Sequence, residues 1–368
     1  MNKTIVDDEG AAARTAAGTQ TNVRPETIKL GIDIHQEWLV VVAQHDHATP
    51  RPPRRFSREE LVVWVERLRI QGHEVRAVYE ACGFGFGLCR KLRALGAECL
   101  VISPQSLDES HSRVKTDGRD ARTLCLRLDR YLQGNRHALA VIRIPSEAEE
   151  RTRHLHRQRE QLVRARTKMQ AQGRGLLVNH DLPAPPRWWR KQAWSQLEKL
   201  VPPWMVAHLE VFRPALDVLD QQIGALTQGL QRAAVAESLP RGVGALTSVV
   251  LSREVCDWNR FHNRRQVASY TGLCPGEYSS GGKRLQGHVT KHGNPRLRAG
   301  LVELAWRLVR FQPTYPPVRK RLAVLAKGAK STGAQRKKAI VAVARQLAID
   351  LWRMNTGQCS AAQLGLQS

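Results

Sequence analysis

The chain has 368 residues, 42% hydrophobic and 25% charged, enough for a substantial core spread over two or three domains. Lys and Arg number 58 against 33 Asp and Glu, a formal charge of +25, which points to DNA or RNA; the competing membrane surface lacks its basic amphipathic helix with a broad aromatic face. No apolar run approaches the roughly 18 residues of a membrane span, no signal peptide is recognisable, and seven cysteines without a Cys-x-x-Cys pair argue against a disulfide framework or a zinc site, so a cytoplasmic protein with reduced thiols is expected.

Residues 1–26, rich in Ala, Thr and Gly, read as a disordered leader. Alternation over Ile28–Ile34 and the β-branched run at Val40–Val42 predict strand, turn and strand. Ser57 and Glu60 form a capping-box pattern for a helix reaching Gly72. A strand over Val75–Glu80, a helix over Leu88–Leu95 stopped by Gly96, a strand over Cys99–Ile102 and a helix from Asp117 to Leu132 follow. Strands alternating with helices after a hairpin predict a mixed α/β domain over residues 27–140.

Ser146 and Glu149 then cap a long polar helix in which Leu155, Leu162, Met169 and Leu176 recur every seven residues. Residues 146–236 read as a helical coiled-coil connector with one antiparallel pairing, the returning helix spanning Leu209–Leu230. Residues 151–174 carry eight Lys or Arg and one acid, Glu160, a face suited to nucleic-acid backbone. The segment from Asp181 to Trp204, with five prolines and four tryptophans, reads as a packed corner. A mostly helical domain over 237–354 opens on Leu239-Pro-Arg-Gly-Val-Gly244, a helix-hairpin-helix-like turn where Arg241, Gly242 and Gly244 would offer backbone amides to phosphate. Eight Lys or Arg and no acid fall between Arg319 and Lys338, before an apolar helix to Trp352 and a tail over 355–368.

Four carboxylates form the first chemical constellation. Asp33 faces away from Ile32 and Ile34 on the first strand, and Glu80 closes a later strand at the carboxyl edge where open α/β sheets bind ligands. Asp117 and Asp120, three apart, share a helix face and repel each other unless a cation intervenes. Singly, each reads as a solvated acid; an acid on the first strand, one ending a later strand and Asp-x-x-Asp on the last helix together resemble the RuvC-like branch of the ribonuclease-H fold. Such sets hold magnesium ions about 4 Å apart to polarise a scissile phosphate. Gly83-Phe-Gly-Phe-Gly87 has the wrong spacing for a dinucleotide fingerprint, and no Gly-x-x-x-x-Gly-Lys-Ser/Thr loop is present.

The second constellation is Tyr278-Ser-Ser-Gly-Gly-Lys-Arg284 with Lys291-His-Gly-Asn-Pro-Arg-Leu-Arg298. Either hydroxyl, Ser279 or Ser280, sits in a glycine-rich turn among Lys283, Arg284, Lys291, Arg296 and Arg298, cations that can hold a phosphate under nucleophilic attack. A hydrolytic junction-resolving nuclease using only the acids, and a non-catalytic packaging protein, are the other classes that fit.

Gly31-Ile-Asp-Ile-His35, Tyr79-Glu-Ala81, Lys115-Thr-Asp-Gly-Arg-Asp-Ala121, the 239–244 turn, Tyr270-Thr-Gly-Leu-Cys-Pro275, Ser279-Ser-Gly281 and Lys291-His-Gly-Asn294 occur in the order found in transposases of the insertion-sequence-110 family. The chain resembles that family, relatives of the Piv-type DNA invertases. The resemblance implies a RuvC-like domain with Asp33, Glu80, Asp117 and Asp120 as metal ligands for Mg2+ or Mn2+, and a carboxy-terminal domain with Ser280 as the nucleophile. It also implies donor and target double-stranded DNA and an element-encoded bridge RNA as partners. Exchange between two duplexes further calls for a homo-oligomer, a dimer or tetramer, for which the 155–176 seam is a candidate surface.

Overall fold

The computed structural model describes residues 25–104, 116–234, 239–280 and 283–367, so the reading of a disordered leader falls almost wholly outside the described residues. The chain divides into two compact units, 1–144 and 145–368. No helix among the described residues is long and apolar enough to cross a membrane.

The first unit is a five-stranded mixed sheet in the order β3-β2-β1-β4-β5. Its strands are β1 (Thr27–Ile34), β2 (Leu39–His45), β3 (Arg54–Phe56), β4 (Glu74–Glu80) and β5 (Glu98–Ile102); its helices are α1 (Arg58–Ile70), α2 (Gly87–Ala94) and α3 (Asp117–Leu132). β1 pairs antiparallel with β2 and parallel with β4, which pairs parallel with β5. Ser57 and Glu60 close the expected capping box on α1. Ile28, Leu30 and Ile32 on one face of β1 join Leu61, Val65, Leu88 and Leu92 of α1 and α2 in one core. The opposite face packs on α3, through Val40 and Val42 against Ala121 and Cys125, and Val78 and Ile102 against Leu124 and Leu128.

Three alternate residues of β1 fix how α3 lies. The buried amine of Lys29 pairs with Asp129. At Gly31 a Cβ would stand 2.1 Å from the Ala121 carbonyl oxygen and 2.4 Å from the Cys125 amide nitrogen, so the helix backbone rests directly on the strand. The next residue on that face is Asp33, and continuing toward the amino end of α3 reaches Asp117. From Lys29 to Asp33 the strand advances about 13 Å while from Asp129 to Asp117 the helix runs back about 18 Å, so α3 lies antiparallel to β1 and its partners follow in reverse order. Burial pushes the Cys125 thiol up to about 12, so it stays protonated and inert within this contact.

The second unit begins with α4 (Glu147–Asn179), which opens on the Ser146–Glu149 capping box and is followed by α5 (Lys191–Leu197), α6 (Pro203–Glu210) and α7 (Arg213–Arg232). α7 returns antiparallel along α4: Arg159 donates to Thr227 at 2.6 Å and Arg166 to Asp220 at 2.7 Å. Met169 and Leu176 of the seven-residue seam face the cluster of Trp188, Trp189 and Trp194, whereas Leu155 is 43% exposed. Residues 181–204 are thus a packed corner, where Gly173 admits Trp188 so closely that a Cβ would lie 2.2 Å from its ring. The basic face of α4 is less available to phosphate than its composition suggests, because Arg157, Arg159 and Arg166 all bond within the unit.

The remaining elements are α8 (Ala245–Val255), α9 (Arg264–Thr271), the hairpin β6 (Pro275–Ser280) and β7 (Lys283–Val289), α10 (Pro295–Phe311), the short α11 (Pro316–Arg319) and α12 (Leu322–Leu325), and α13 (Gly333–Asn355). α8, α9, α10 and α13 enclose one core. The residues beyond 354, expected as a tail, belong to it: Leu364 and Leu366 are buried there, and the Gln367 carbonyl accepts from the Arg241 amide and the Gln312 side chain.

Glu254 on α8 is fully buried yet charged. Its carboxylate accepts from His156 at 2.7 Å, from both Arg157 nitrogens at 2.9 and 2.8 Å, and from Asn294 at 2.8 Å. Burial alone would raise its pKa, but these donors outweigh it and hold the carboxyl far below the usual range. Such a group stabilises the fold above the unfolded glutamate value of about 4.3 and loses that contribution as pH falls through the folded value.

Two predictions follow from these contacts. Gly31→Ala forces α3 off β1 and is expected to cost about 3 kcal/mol by overpacking; an unchanged urea midpoint would refute the direct strand-helix contact. Glu254→Ala removes the buried carboxylate on which His156, Arg157 and Asn294 converge, at a cost of about 3–5 kcal/mol. The stability gap between wild type and Glu254→Gln should be largest at neutral pH and shrink below about pH 4, and a gap that widens on acidification would contradict the charge assignment.

Candidate active site

Asp33 stands at the carboxyl end of β1 and Asp117 at the start of α3. His35, from the turn leaving β1, lies between them, with Nε2 3.2 Å from Asp33 Oδ2 and 3.4 Å from Asp117 Oδ2. Donor atoms of the three all fall within 4.8 Å of one another. All three side chains are partly open, with Asp33 27%, His35 33% and Asp117 49% accessible. The backbone holds His35 in place: its amide donates to the Trp38 carbonyl at 3.0 Å, and the Arg58 guanidinium donates to the His35 carbonyl at 3.3 Å.

Glu80 and Asp120, also expected at this site, are not members of the three-residue group. Glu80 follows Tyr79, which pairs in register with Ile32, so Glu80 and Asp33 end neighbouring parallel strands at the same level. Asp120 sits one turn along α3 from Asp117, in the first turn where the helix dipole favours carboxylates. Two carboxylates and an imidazole converging on one point form a donor set that a hard or borderline divalent cation accepts. His35 carries no role in the four-acid reading. Its signal in the sequence was its place two residues after Asp33, at the exit of the strand that carries that acid.

In the second unit, β6 ends at Ser280 and pairs with the start of β7 as Ser279 with Arg284 and Ser280 with Lys283. The side chains of Ser279, Ser280, Lys283 and Arg284 lie outside the described residues. The root of this hairpin is tied down on both sides. Thr290 donates to the Cys274 carbonyl at 2.8 Å, Lys291 to Gly272 at 3.1 Å and Asn294 to Tyr270 at 2.9 Å through their amides. Gly293 passes so near that a Cβ would meet the Tyr270 carbonyl oxygen at 2.4 Å. Asn294 also caps α10 and donates to buried Glu254.

Several residues expected to face phosphate have inward partners instead. Arg298 donates to the carbonyls of Thr271 and Lys291 at 3.2 and 3.1 Å, bracing the hairpin root, and Arg296 donates to Glu160 at 2.6 Å. In the 239–244 turn, the amides of Arg241 and Val243 bond to Gln367 and Pro240, Gly242 takes a positive φ of 91° beside Phe311, and Gly244 is the N-cap of α8. The turn therefore leads into α8, and part of its amide edge is occupied within the unit. The amide of Lys291 is likewise engaged, and its residue adopts a left-handed φ of 56°.

Comparison with known proteins identifies the family of the chain. Residues 30–180 match the transposase domain of IS110 type whose name carries the DEDD acid set, and residues 234–318 match the transposase IS116/IS110/IS902 family. The first match implies a RuvC-like, ribonuclease-H-like α/β fold for the first unit. The protein y4rJ of Sinorhizobium fredii, described as a candidate transposase, is 31% identical over 311 residues, 76% of this chain and 77% of its own length. The transposase for insertion sequence element IS1328 of Yersinia enterocolitica is 26% identical over 76% of this chain and 84% of its own. The transposase for IS1111A of Coxiella burnetii is 26% identical over 76% and 78%. Matches in both units, with identity above three tenths over three quarters of each chain, place this protein in the IS110 family of transposases, enzymes that cut and rejoin DNA.

Proposed function

We propose that this transposase cuts DNA at a divalent-ion site held by Asp33, Glu80, Asp117 and Asp120 and rejoins it through a covalent bond to Ser280. The approach of Asp33 and Asp117, with His35 between them at the carboxyl edge of the sheet, carries the reading. The oxygen donors suit Mg2+ or Mn2+, and the imidazole adds a donor that Mn2+ accepts more readily. A divalent ion there supplies a Lewis acid for the scissile phosphate and steadies charge on the attacking and leaving oxygens. Without a bound cation, Asp33, Glu80, Asp117 and Asp120 would repel the DNA backbone, and a divalent ion held by them would offset that repulsion.

Ser280 is the last residue of β6, at the end of a two-stranded ribbon. Its oxygen attacks phosphorus, the bond to one flanking sugar oxygen breaks, and that sugar departs as a hydroxyl with the proton the serine gives up. A sugar hydroxyl from the partner duplex reverses the step and releases the serine. Each exchange replaces one phosphate ester with another, so no nucleotide hydrolysis is needed, in keeping with a sequence that lacks a nucleotide phosphate loop. The working enzyme is a dimer or tetramer acting on donor and target duplexes, with sequence choice delegated to an element-encoded bridge RNA as the family resemblance implies.

Ser280→Ala should abolish protein-linked DNA ends on a denaturing gel while DNA binding persists; adducts at wild-type yield would exclude this serine, and free ends from the wild type would favour a hydrolytic nuclease. Asp33→Asn and Asp117→Asn should each lower strand cleavage on the order of 100-fold or more and raise the Mn2+ concentration needed for half-maximal cleavage. Cleavage indifferent to both substitutions and to chelator would remove the acid site from the mechanism.

A further inference from the structure

We infer that the groove beside the hairpin stem, walled by α9, β7, the α11–α12 region and one face of α13, seats the sugar-phosphate backbone of duplex DNA flanking the cut. This rests on the transposase reading but concerns residues to which that reading gives no role. The groove has a volume of about 1230 Å³ and lies entirely within the second unit. Seven cations line it: Arg264, Arg265, Lys320, Arg321, Lys337, Lys338 and Arg345. None of the seven has an acidic partner among the described residues, though Arg321 donates to the Pro317 carbonyl, in contrast to Arg157, Arg166 and Arg296 elsewhere in the unit. The one carboxylate in the lining, Asp350, is buried and accepts hydrogen bonds from Tyr315 and Gln346. Seven like charges around one space repel one another, and a polyanion relieves that repulsion.

The geometry favours a chain of phosphates over a single anion. Along α13, residues 334, 337, 338, 341, 342, 345, 346 and 349 line the groove, the periodicity of one helix face, while Ile340, Val343, Ala344 and Leu347 enter the core behind. That face is about 22 Å long at the helical rise, and a duplex passes about six base pairs in that distance. No Trp, Tyr or Phe lines the groove, so unpaired bases find no stacking platform of that kind. A backbone whose bases are paired away from the protein fits such a surface. DNA is favoured over RNA because Pro275 and Gln286–Val289, which form one wall, are the stem of the ribbon that ends at Ser280. The strand lying against the stem leads toward the serine and is therefore the substrate strand.

The test uses the full chain and a fluorescent duplex of about 30 base pairs titrated across a KCl series. Arg264, Lys337 and Lys338 are all exposed, so the triple substitution Arg264→Ala, Lys337→Ala and Lys338→Ala is expected to fold, checked by an unchanged melting curve. Each phosphate contact contributes about 0.9 to the slope of log K against log salt, so loss of three should flatten the slope by about 2.7 and weaken binding by at least tenfold at low salt. An unchanged slope and affinity would overturn the inference, as would weakened binding of a double-stranded RNA of the same length with duplex DNA binding intact. Ser280→Ala, measured alongside, separates the two readings: adduct formation reports on the serine alone, and the salt slope reports on the groove alone.

Discussion

The contact between a strand and a helix at Gly31 governs the acid site. A side chain there would overlap the carbonyl oxygen of Ala121, so only glycine lets α3 lie with its backbone against β1. Once that separation is set, the Lys29–Asp129 pair fixes the far end of the helix and Asp33 meets its beginning. The position of Asp117 relative to Asp33 is thus a consequence of packing two turns away. Like charges do not assemble of their own accord, and the fold forces them together where burial elsewhere supplies the stabilisation.

Charge in this protein falls into two populations. In the second unit, arginines on α4 and α10 turn inward to Glu254, Asp220 and Glu160, where they hold helices together. The cations of the groove beside the hairpin have no such partners among the described residues and remain available to an external anion. A net charge of +25 does not distinguish these populations. Partner geometry does, because a cation bonded to a buried carboxylate is removed from counterion exchange with DNA, whereas an unpaired surface cation contributes fully to it.

The features legible in the sequence were those whose causes are local. Both capping boxes, at Ser57 and Ser146, depend on residues three apart, and the strands of the first unit follow from alternation within a few positions. The order of Asp33, Glu80 and the Asp117 helix was readable because each ends or begins an element. What stayed hidden depends on distant partners. His35 becomes part of the acid cluster only when the start of α3 arrives from a segment some eighty positions later. Arg296 meets Glu160 across 136 residues and Glu254 meets His156 across 98, and no local pattern marks either pair. The 355–368 segment lacks periodicity, yet Leu364 and Leu366 find a hydrophobic pocket that only the assembled helices create.

Both candidate reactive centres are built on the same device. In each, a glycine without room for a Cβ brings two backbones together, Gly31 against Ala121 and Gly293 against Tyr270, and an extended strand leads from near that fixed point toward Asp33 or toward the end of the hairpin. A strand is stiff over a few residues, so error at the root is not amplified much at Asp33 or Ser280. The hairpin needs more support than the sheet, having one partner strand in place of several, and it receives that support from Glu254, whose carboxylate joins α4, α8 and the Asn294 cap of α10 at the root. Phosphoryl transfer tolerates misplacement of well under 1 Å before rates fall steeply. A buried, four-fold hydrogen-bonded charge beneath a slender ribbon is a structural answer to that demand: it adds rigidity where the sheet itself cannot.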